Sequence, residues 1–187
     1  MLFRSNRMLD ALMPYTERGV PIVGLEPSCL LTLRDEYKVL MPGDDTDELT
    51  KNVFLLEEFL ATEHATGRLQ LDLKPIVSKK ALLHGHCHQK AFNVMSAVQK
   101  VLSLIPELEV KTIDSSCCGM AGSFGYEKEH YDISMKMGSL SLFPAVKEAD
   151  TDVLIVADGT SCRSQIEHGT GRQALHVARV LQMALNL

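Results

Sequence analysis

Three short strand-like runs, residues 80–84, 109–113 and 152–157, each open into a loop that carries cysteine. Helix-like stretches follow at 91–104, 126–142 and 174–185. This alternation predicts an α/β chain with a mainly parallel sheet and helices on both of its faces, in three α/β/α layers. In such a sheet the strand ends share one edge, where loops build ligand sites. Cys87, Cys117, Cys118 and Cys162 are therefore expected to meet there, although they lie far apart in sequence.

The remainder of the chain fits the same plan. Met8, Leu9, Leu12 and Met13 recur at helical spacing, so residues 2–18 predict a helix that Gly19 stops, ahead of a strand over 20–25. A short helix is expected over 30–37 and a polar turn at Pro42-Gly43-Asp44-Asp45. Leu49, Val53, Leu56 and Leu60 share one face of a further helix, with Asp45, Thr46 or Asp47 as its N-cap. About four strands can be read in all. An opening helix with so little sheet to pack on predicts a piece of a longer parent.

With 187 residues, 45% of them hydrophobic, the chain can form one domain with a substantial core. A formal net charge of −5 and no cluster of Lys and Arg give no general attraction to nucleic acid or anionic lipid. No apolar run approaches about 18 residues and no signal-peptide core is present. A cytoplasmic chain is expected, able at most to join a peripheral membrane complex.

Five cysteines cannot all pair with one another, and they do not form a short secreted disulfide framework. Reduced thiols serving metal or redox chemistry fit better. Adjacent Cys117 and Cys118 are too close along the chain for an ordinary unstrained disulfide. Two neighbouring thiolates ahead of the flexible run Gly119-Met120-Ala121-Gly122-Ser123-Phe124-Gly125 can nevertheless approach one metal centre. Four thiolates suit a zinc ion or an iron–sulfur cluster, and their wide spacing is not that of a zinc ribbon. Two other readings are open. The four can be small buried hydrophobes, or Cys87 can be a nucleophile activated by His86 or His88, which leaves the other three without a role.

The neighbours of the cysteines extend the site. His86 and His88 can ligate, hydrogen-bond to the centre, take up a proton, or cap the helix that follows. Gly119 and Gly122 let the backbone wrap a cluster and offer N–H groups to its sulfurs. Arg163 directly follows Cys162. The order Gly-x-x-Gly-x-x-Gly lacks the close pair of a dinucleotide fingerprint, so nucleotide binding is not expected. His64, His130 and His176 fall in helical stretches and His168 in a flexible loop, and none is assigned chemistry.

The segments His84-Gly85-His86-Cys87-His88-Gln89-Lys90, Cys117-Cys118-Gly119-Met120-Ala121-Gly122-Ser123-Phe124-Gly125-Tyr126 and Gly159-Thr160-Ser161-Cys162-Arg163 carry a resemblance over nearly the whole chain. They resemble the cysteine-rich CCG domain family. That family occurs in heterodisulfide reductase, in iron–sulfur subunits of glycolate oxidase and anaerobic glycerol-3-phosphate dehydrogenase, and at the end of large FAD-linked oxidases. The wording is most similar to the FAD-linked oxidase branch. Cys87, Cys117, Cys118 and Cys162 match one family module. Glu26-Pro27-Ser28-Cys29 looks like the closing C-x-x-C of a preceding one, so residues 1–45 read as its tail, packed on the same domain, and 46–187 as the CCG module. Gly159 and Glu26 each stand where the first cysteine of a C-x-x-C falls. The noncubane cluster of heterodisulfide reductase uses five cysteines per module and only four match here, which favours a 4Fe-4S cubane cluster or zinc.

The resemblance implies an iron–sulfur electron-transfer domain of a flavin-dependent 2-hydroxy-acid oxidoreductase, of the D-lactate, glycolate or D-2-hydroxyglutarate dehydrogenase kind. It would relay electrons from FAD, in a flavin domain of the parent that also has a ferredoxin-like part, to a quinone or protein acceptor. By itself the chain would be inactive on substrate. The alternative is a zinc-stabilised interaction domain with no redox role.

Overall fold

The computed structural model describes residues 2–120 and 123–185. Its chain contacts form two compact units, Met1–Phe59 and Leu60–Leu187.

In the first unit the helix Leu2–Thr16 precedes strand β1, Ile22–Gly24. Short helical turns follow at Pro27–Leu30, Leu31–Leu33 and Glu36–Leu40, then the helix Asp44–Lys51 and strand β2, Val53–Leu55. The helix expected to run through Leu49, Val53, Leu56 and Leu60 is therefore interrupted. Val53-Phe54-Leu55 pairs in parallel with Ile22–Gly24 instead, and a new helix, Leu56–Ala65, starts directly afterwards. Branched and aromatic side chains suit a pleated surface, and a partner strand lying 31 positions back in the register outweighs the local helical period. Arg34 braces this strand: its Nε donates to the Val53 carbonyl at 2.9 Å, and its fork meets Glu58 at 2.8 and 3.0 Å. The N-cap of Asp44–Lys51 is Gly43, with no side-chain cap bond, so Asp45, Thr46 and Asp47 lie inside the helix rather than capping it. Asp44, Asp45 and Asp47 in the first turn complement its dipole instead.

In the second unit three parallel strands, β3 (Lys80–Leu83), β4 (Glu109–Thr112) and β5 (Leu154–Val156), lie in the order β4-β3-β5. Alternation along the strands sorts the core into two layers. Ala81, Leu83 and Val156 pack with Val98, Val101 and Leu102 of helix Met95–Ser103 and with Val177, Val180 and Leu181 of helix Val177–Ala184. Leu82 and Ile155 face the other way, onto Leu142, Phe143 and Val146 of helix Leu142–Glu148 and Ile166 of helix Thr160–Thr170. The fold is α/β with parallel sheets and helices on both faces, as the alternation predicts.

Several boundaries differ from expectation. The helix expected over 91–104 is two pieces, Cys87–Ala91 and Met95–Ser103, because Asn93 adopts a left-handed φ of 56° that no α-helix tolerates. The one expected over 126–142 is a 3-10 turn, Phe124–Tyr126, and the helices Tyr131–Leu140 and Leu142–Glu148. His168 is not in a flexible loop: helix Thr160–Thr170 contains it and ends at Gly171, whose φ of +72° suits a helix terminus. Among the described residues there are five strands rather than about four. None of the described helices is long and apolar enough to cross a membrane.

Candidate metal centre

The end of β3 turns through His84-Gly85-His86 into helix Cys87–Ala91, so Cys87 opens that helix. His86 caps it. Its Nδ1 accepts from the His88 N–H at 3.1 Å, while its own N–H donates to Gln89 Oε1 at 3.0 Å, which completes a capping box. The other end of the buried Gln89 is matched too: Nε2 donates to Asp158 Oδ2 at 2.7 Å, and Asp158 Oδ1 accepts from the Val177 N–H at 3.0 Å. Asp158 lies just beyond β5. One buried carboxylate thus ties the cysteine loop after β3 to the one after β5.

Cys117 and Cys118 follow β4. Lys90 Nζ donates to the Ser115 carbonyl, and His84 Nδ1 lies 2.9 Å from Ser115 Oγ, so the stretch before the pair is held against the β3 loop. Gly119 has a φ of +80°, and its N–H donates to Cys117 Sγ at 3.3 Å. A Cβ there would fall 2.7 Å from Met137 Sδ and 3.2 Å from Ser134 Cα, so space and backbone both demand glycine. On the far side, Gln165 Nε2 donates to the Cys118 carbonyl and to the Ser134 carbonyl and hydroxyl oxygens. Gln165 shares helix Thr160–Thr170 with Cys162, one turn further along.

The four thiols come together as two neighbouring pairs. Cys162 and Cys118 are buried, with sulfurs 3.6 Å apart. Cys87 and Cys117 are half-buried and interact electrostatically. The pairs also feel one another, since Cys118 acts electrostatically on Cys87, and both Cys87 and Cys117 act on Cys162. The hydrogen bond from Cys162 holds the Cys118 thiol down at about 4 against the effect of burial, aided by His84 and the Met120 backbone. That same bond, with burial, pushes Cys162 well above the usual thiol range. Burial first, and the neighbouring Cys117 next, raise Cys87. Close thiols of which one ionises readily while its neighbours are pushed up are a donor set that a bound cation stabilises, so the residues fit a soft metal ion or an iron–sulfur cluster. Among the described residues no three cysteine sulfurs lie within 4.8 Å of one another.

The other expected residues divide by task. Gly119 touches a ligand candidate directly through its N–H. The Nδ1 of His88 is buried and has no hydrogen-bond partner among the described residues, and its ring stands edge-on to His86 at 5.4 Å. Arg163 braces its own loop: Nη1 donates to the Ala157 carbonyl at 3.0 Å and to that of Asp158, and Nη2 to Thr160 Oγ1 at 3.1 Å. Gly122 lies outside the described residues. Cys29, in helix Pro27–Leu30 of the first unit, is exposed. Sequence reasoning passed over His84, Gln89, Ser115, Asp158 and Gln165. Two of them carry a signal in hindsight: Asp158 is the first charged residue after the apolar run of β5, and Gln165 is three positions from Cys162, on the same helix face.

No family model matches the chain, and no solved structure matches it. Curated proteins do. The chain is 33% identical over 168 residues to one of the subunits of anaerobic glycerol-3-phosphate dehydrogenase from Escherichia coli K12, a match covering 90% of this chain and 41% of the relative. It is 28% identical over 181 residues to D-2-hydroxyglutarate dehydrogenase of the same organism, covering 95% of this chain and 17% of the relative. The D-2-hydroxyglutarate dehydrogenase of Pseudomonas putida is 30% identical over 180 residues, with 95% and 16% covered. The chain therefore spans less than half the length of these relatives. They are dehydrogenases or part of one, in keeping with the oxidoreductase class that the cysteine loops resemble.

Proposed function

We propose that this chain is the iron–sulfur electron-transfer part of a flavin-dependent oxidoreductase acting on a 2-hydroxy acid of the D-lactate, glycolate or D-2-hydroxyglutarate kind. The observation that carries the reading is the placing of Cys87, Cys117, Cys118 and Cys162 in the segments that follow three parallel strands, with the Cys118 and Cys162 sulfurs 3.6 Å apart and Cys87 and Cys162 on either side of the His86 ring. These four would hold a 4Fe-4S cluster, which supplies one-electron transfer between FAD in another part of the parent and a quinone or protein acceptor. Burial of Cys118 and Cys162 keeps water from that side of the centre, and the Gly119 N–H stabilises charge on Cys117. His86 and His88 would complete the surroundings, and Arg163 fixes the loop before Cys162. Residues 1–45 would close a preceding module through Glu26-Pro27-Ser28-Cys29, and 46–187 form the CCG module.

The spread of the sulfurs favours a cluster over a single zinc ion. Zinc–sulfur bonds of about 2.3 Å in a tetrahedron bring all four sulfurs to about 3.8 Å from one another. Among the described residues no three of these sulfurs lie within even 4.8 Å of one another.

Anaerobic reconstitution of the chain with iron and sulfide tests the reading. Iron and acid-labile sulfide in equal amounts, with visible absorption that dithionite bleaches, are expected. Stoichiometric zinc without sulfide would replace it with the zinc-stabilised interaction domain. In the parent protein, Cys87→Ser is expected to spare flavin reduction by substrate and to slow electron passage to the acceptor. Since the relatives' names include glycerol 3-phosphate, substrates should span that compound and the 2-hydroxy acids. A Cys87→Ser protein that retains its FAD but whose flavin no longer accepts electrons from substrate would overturn the relay role.

A further inference from the structure

Gly159, the residue that opens helix Thr160–Thr170, has an ordinary φ, so the demand for glycine there is one of space. A Cβ on it would fall 2.5 Å from His86 Cδ2, 3.4 Å from His86 Nε2 and 3.2 Å from Cys162 Sγ. The imidazole edge and the Cys162 sulfur therefore border one small volume that only a missing side chain leaves open. On its other edge the same ring has Nδ1 3.9 Å from Cys87 Sγ. The ring is buried and stands between two of the four sulfurs, one from the loop after β3 and one from the loop after β5.

The capping box fixes which way this ring works. Nδ1 accepts from the His88 N–H, so in the neutral ring Nδ1 carries the lone pair and Nε2 the proton. The nitrogen that faces the Gly159 and Cys162 side is a donor.

We propose that His86 and Gly159 act as one unit: the imidazole takes the room of a residue-159 side chain and aims its Nε2–H at the sulfur side of the centre, as a positioning residue and not a metal ligand. Two things follow. The site is limited to the four cysteines, because no further side chain can enter beside Cys162 while the ring is in place. An N–H directed at cluster sulfur also stabilises the more negative, reduced state, so His86 raises the potential of the centre.

This inference rests on the iron–sulfur reading for its second part only, and two measurements on the full chain separate the failures. In the metal-free chain, Gly159→Ala is expected to lower the melting temperature by several degrees on the native background and by much less on a His86→Ala background. An equal loss on both would show that the two residues are not a packing unit and overturn the proposal. In the anaerobically reconstituted chain, His86→Asn keeps a cap acceptor for the His88 N–H but withdraws the Nε2 donor. Iron and sulfide content are expected to hold, and the midpoint potential to move to more negative values. An unchanged potential at unchanged iron content would overturn the donor role, and loss of iron would mark His86 as a ligand and overturn it too. If the native chain takes up neither iron nor sulfide, the electron-transfer reading fails, and the donor role fails with it. The packing unit then stands or falls on the metal-free cycle alone.

Discussion

The thiol of Cys162 donates to the sulfur of Cys118 at 3.6 Å, joining the loop after β4 to the helix after β5 in a buried contact. A single proton shared between two sulfurs explains why Cys118 is held at about 4 while Cys162 is pushed up. It also makes Cys118 the thiol most ready to serve as thiolate toward a metal.

Replacing Cys118 by Ser removes a soft ligand while changing volume little. Loss of bound iron or zinc is expected, with the circular-dichroism spectrum retained, because the two apolar layers around the sheet supply the core. Metal analysis after anaerobic loading checks this. Unchanged metal content would strike Cys118 from the ligand set, and global unfolding would show that metal binding supplies much of the folding free energy.

Asp158 accepts from Gln89 and from the Val177 backbone with both oxygens buried. Asp158→Ala leaves these donors unmatched, at a cost of about 1–3 kcal/mol for each buried group. Urea unfolding is expected to show a lowered midpoint with an unchanged slope. A loss below about 0.5 kcal/mol would mean that these bonds add nothing net over solvation.

Gly138 and Gly169 both abut the Phe143 ring, one from helix Tyr131–Leu140 and the other from Thr160–Thr170. On propensity alone Gly138→Ala would stabilise its helix by about 1 kcal/mol. The added methyl meets a buried aromatic ring, where overpacking costs about 1–3 kcal/mol, so net destabilisation is expected. Recovery in a Gly138→Ala, Phe143→Leu double variant, read by thermal unfolding, would identify the ring as the cause.

Arg34 holds β2 through the Val53 carbonyl and the Glu58 carboxylate, whose Oε2 also accepts from the Leu55 N–H at 3.0 Å. Lysine cannot reproduce the fork. Arg34→Lys is expected to speed hydrogen exchange at the amides of Val53–Leu55 about fivefold to tenfold, the equivalent of about 1–1.4 kcal/mol. Exchange unchanged at these amides would show that strand pairing alone holds β2.

Much of this protein could be read along the chain. The period of the apolar residues announces the parallel α/β layers, since Leu82 and Leu83 must face opposite sides of a strand wherever that strand sits. The order of the segments also sets Cys87, Cys117, Cys118 and Cys162 just after β3, β4 and β5, because each follows the apolar run of its strand. Pairing and breakage were not legible there. Val53-Phe54-Leu55 has a helical period and becomes a strand because Ile22–Gly24 lies alongside it. Helix Thr160–Thr170 carries no strong local signal and forms where Ile166 and Cys162 can join the layer around Phe143. The strand order β4-β3-β5 decided that sulfurs 44 residues apart share a proton, and the packing of His86 against Gly159 decided how much room remains beside them. Period and residue type are properties of neighbours along the chain. Which distant residue fills which space is set by the register of strands and the volume between them, and these exist only once the chain has folded.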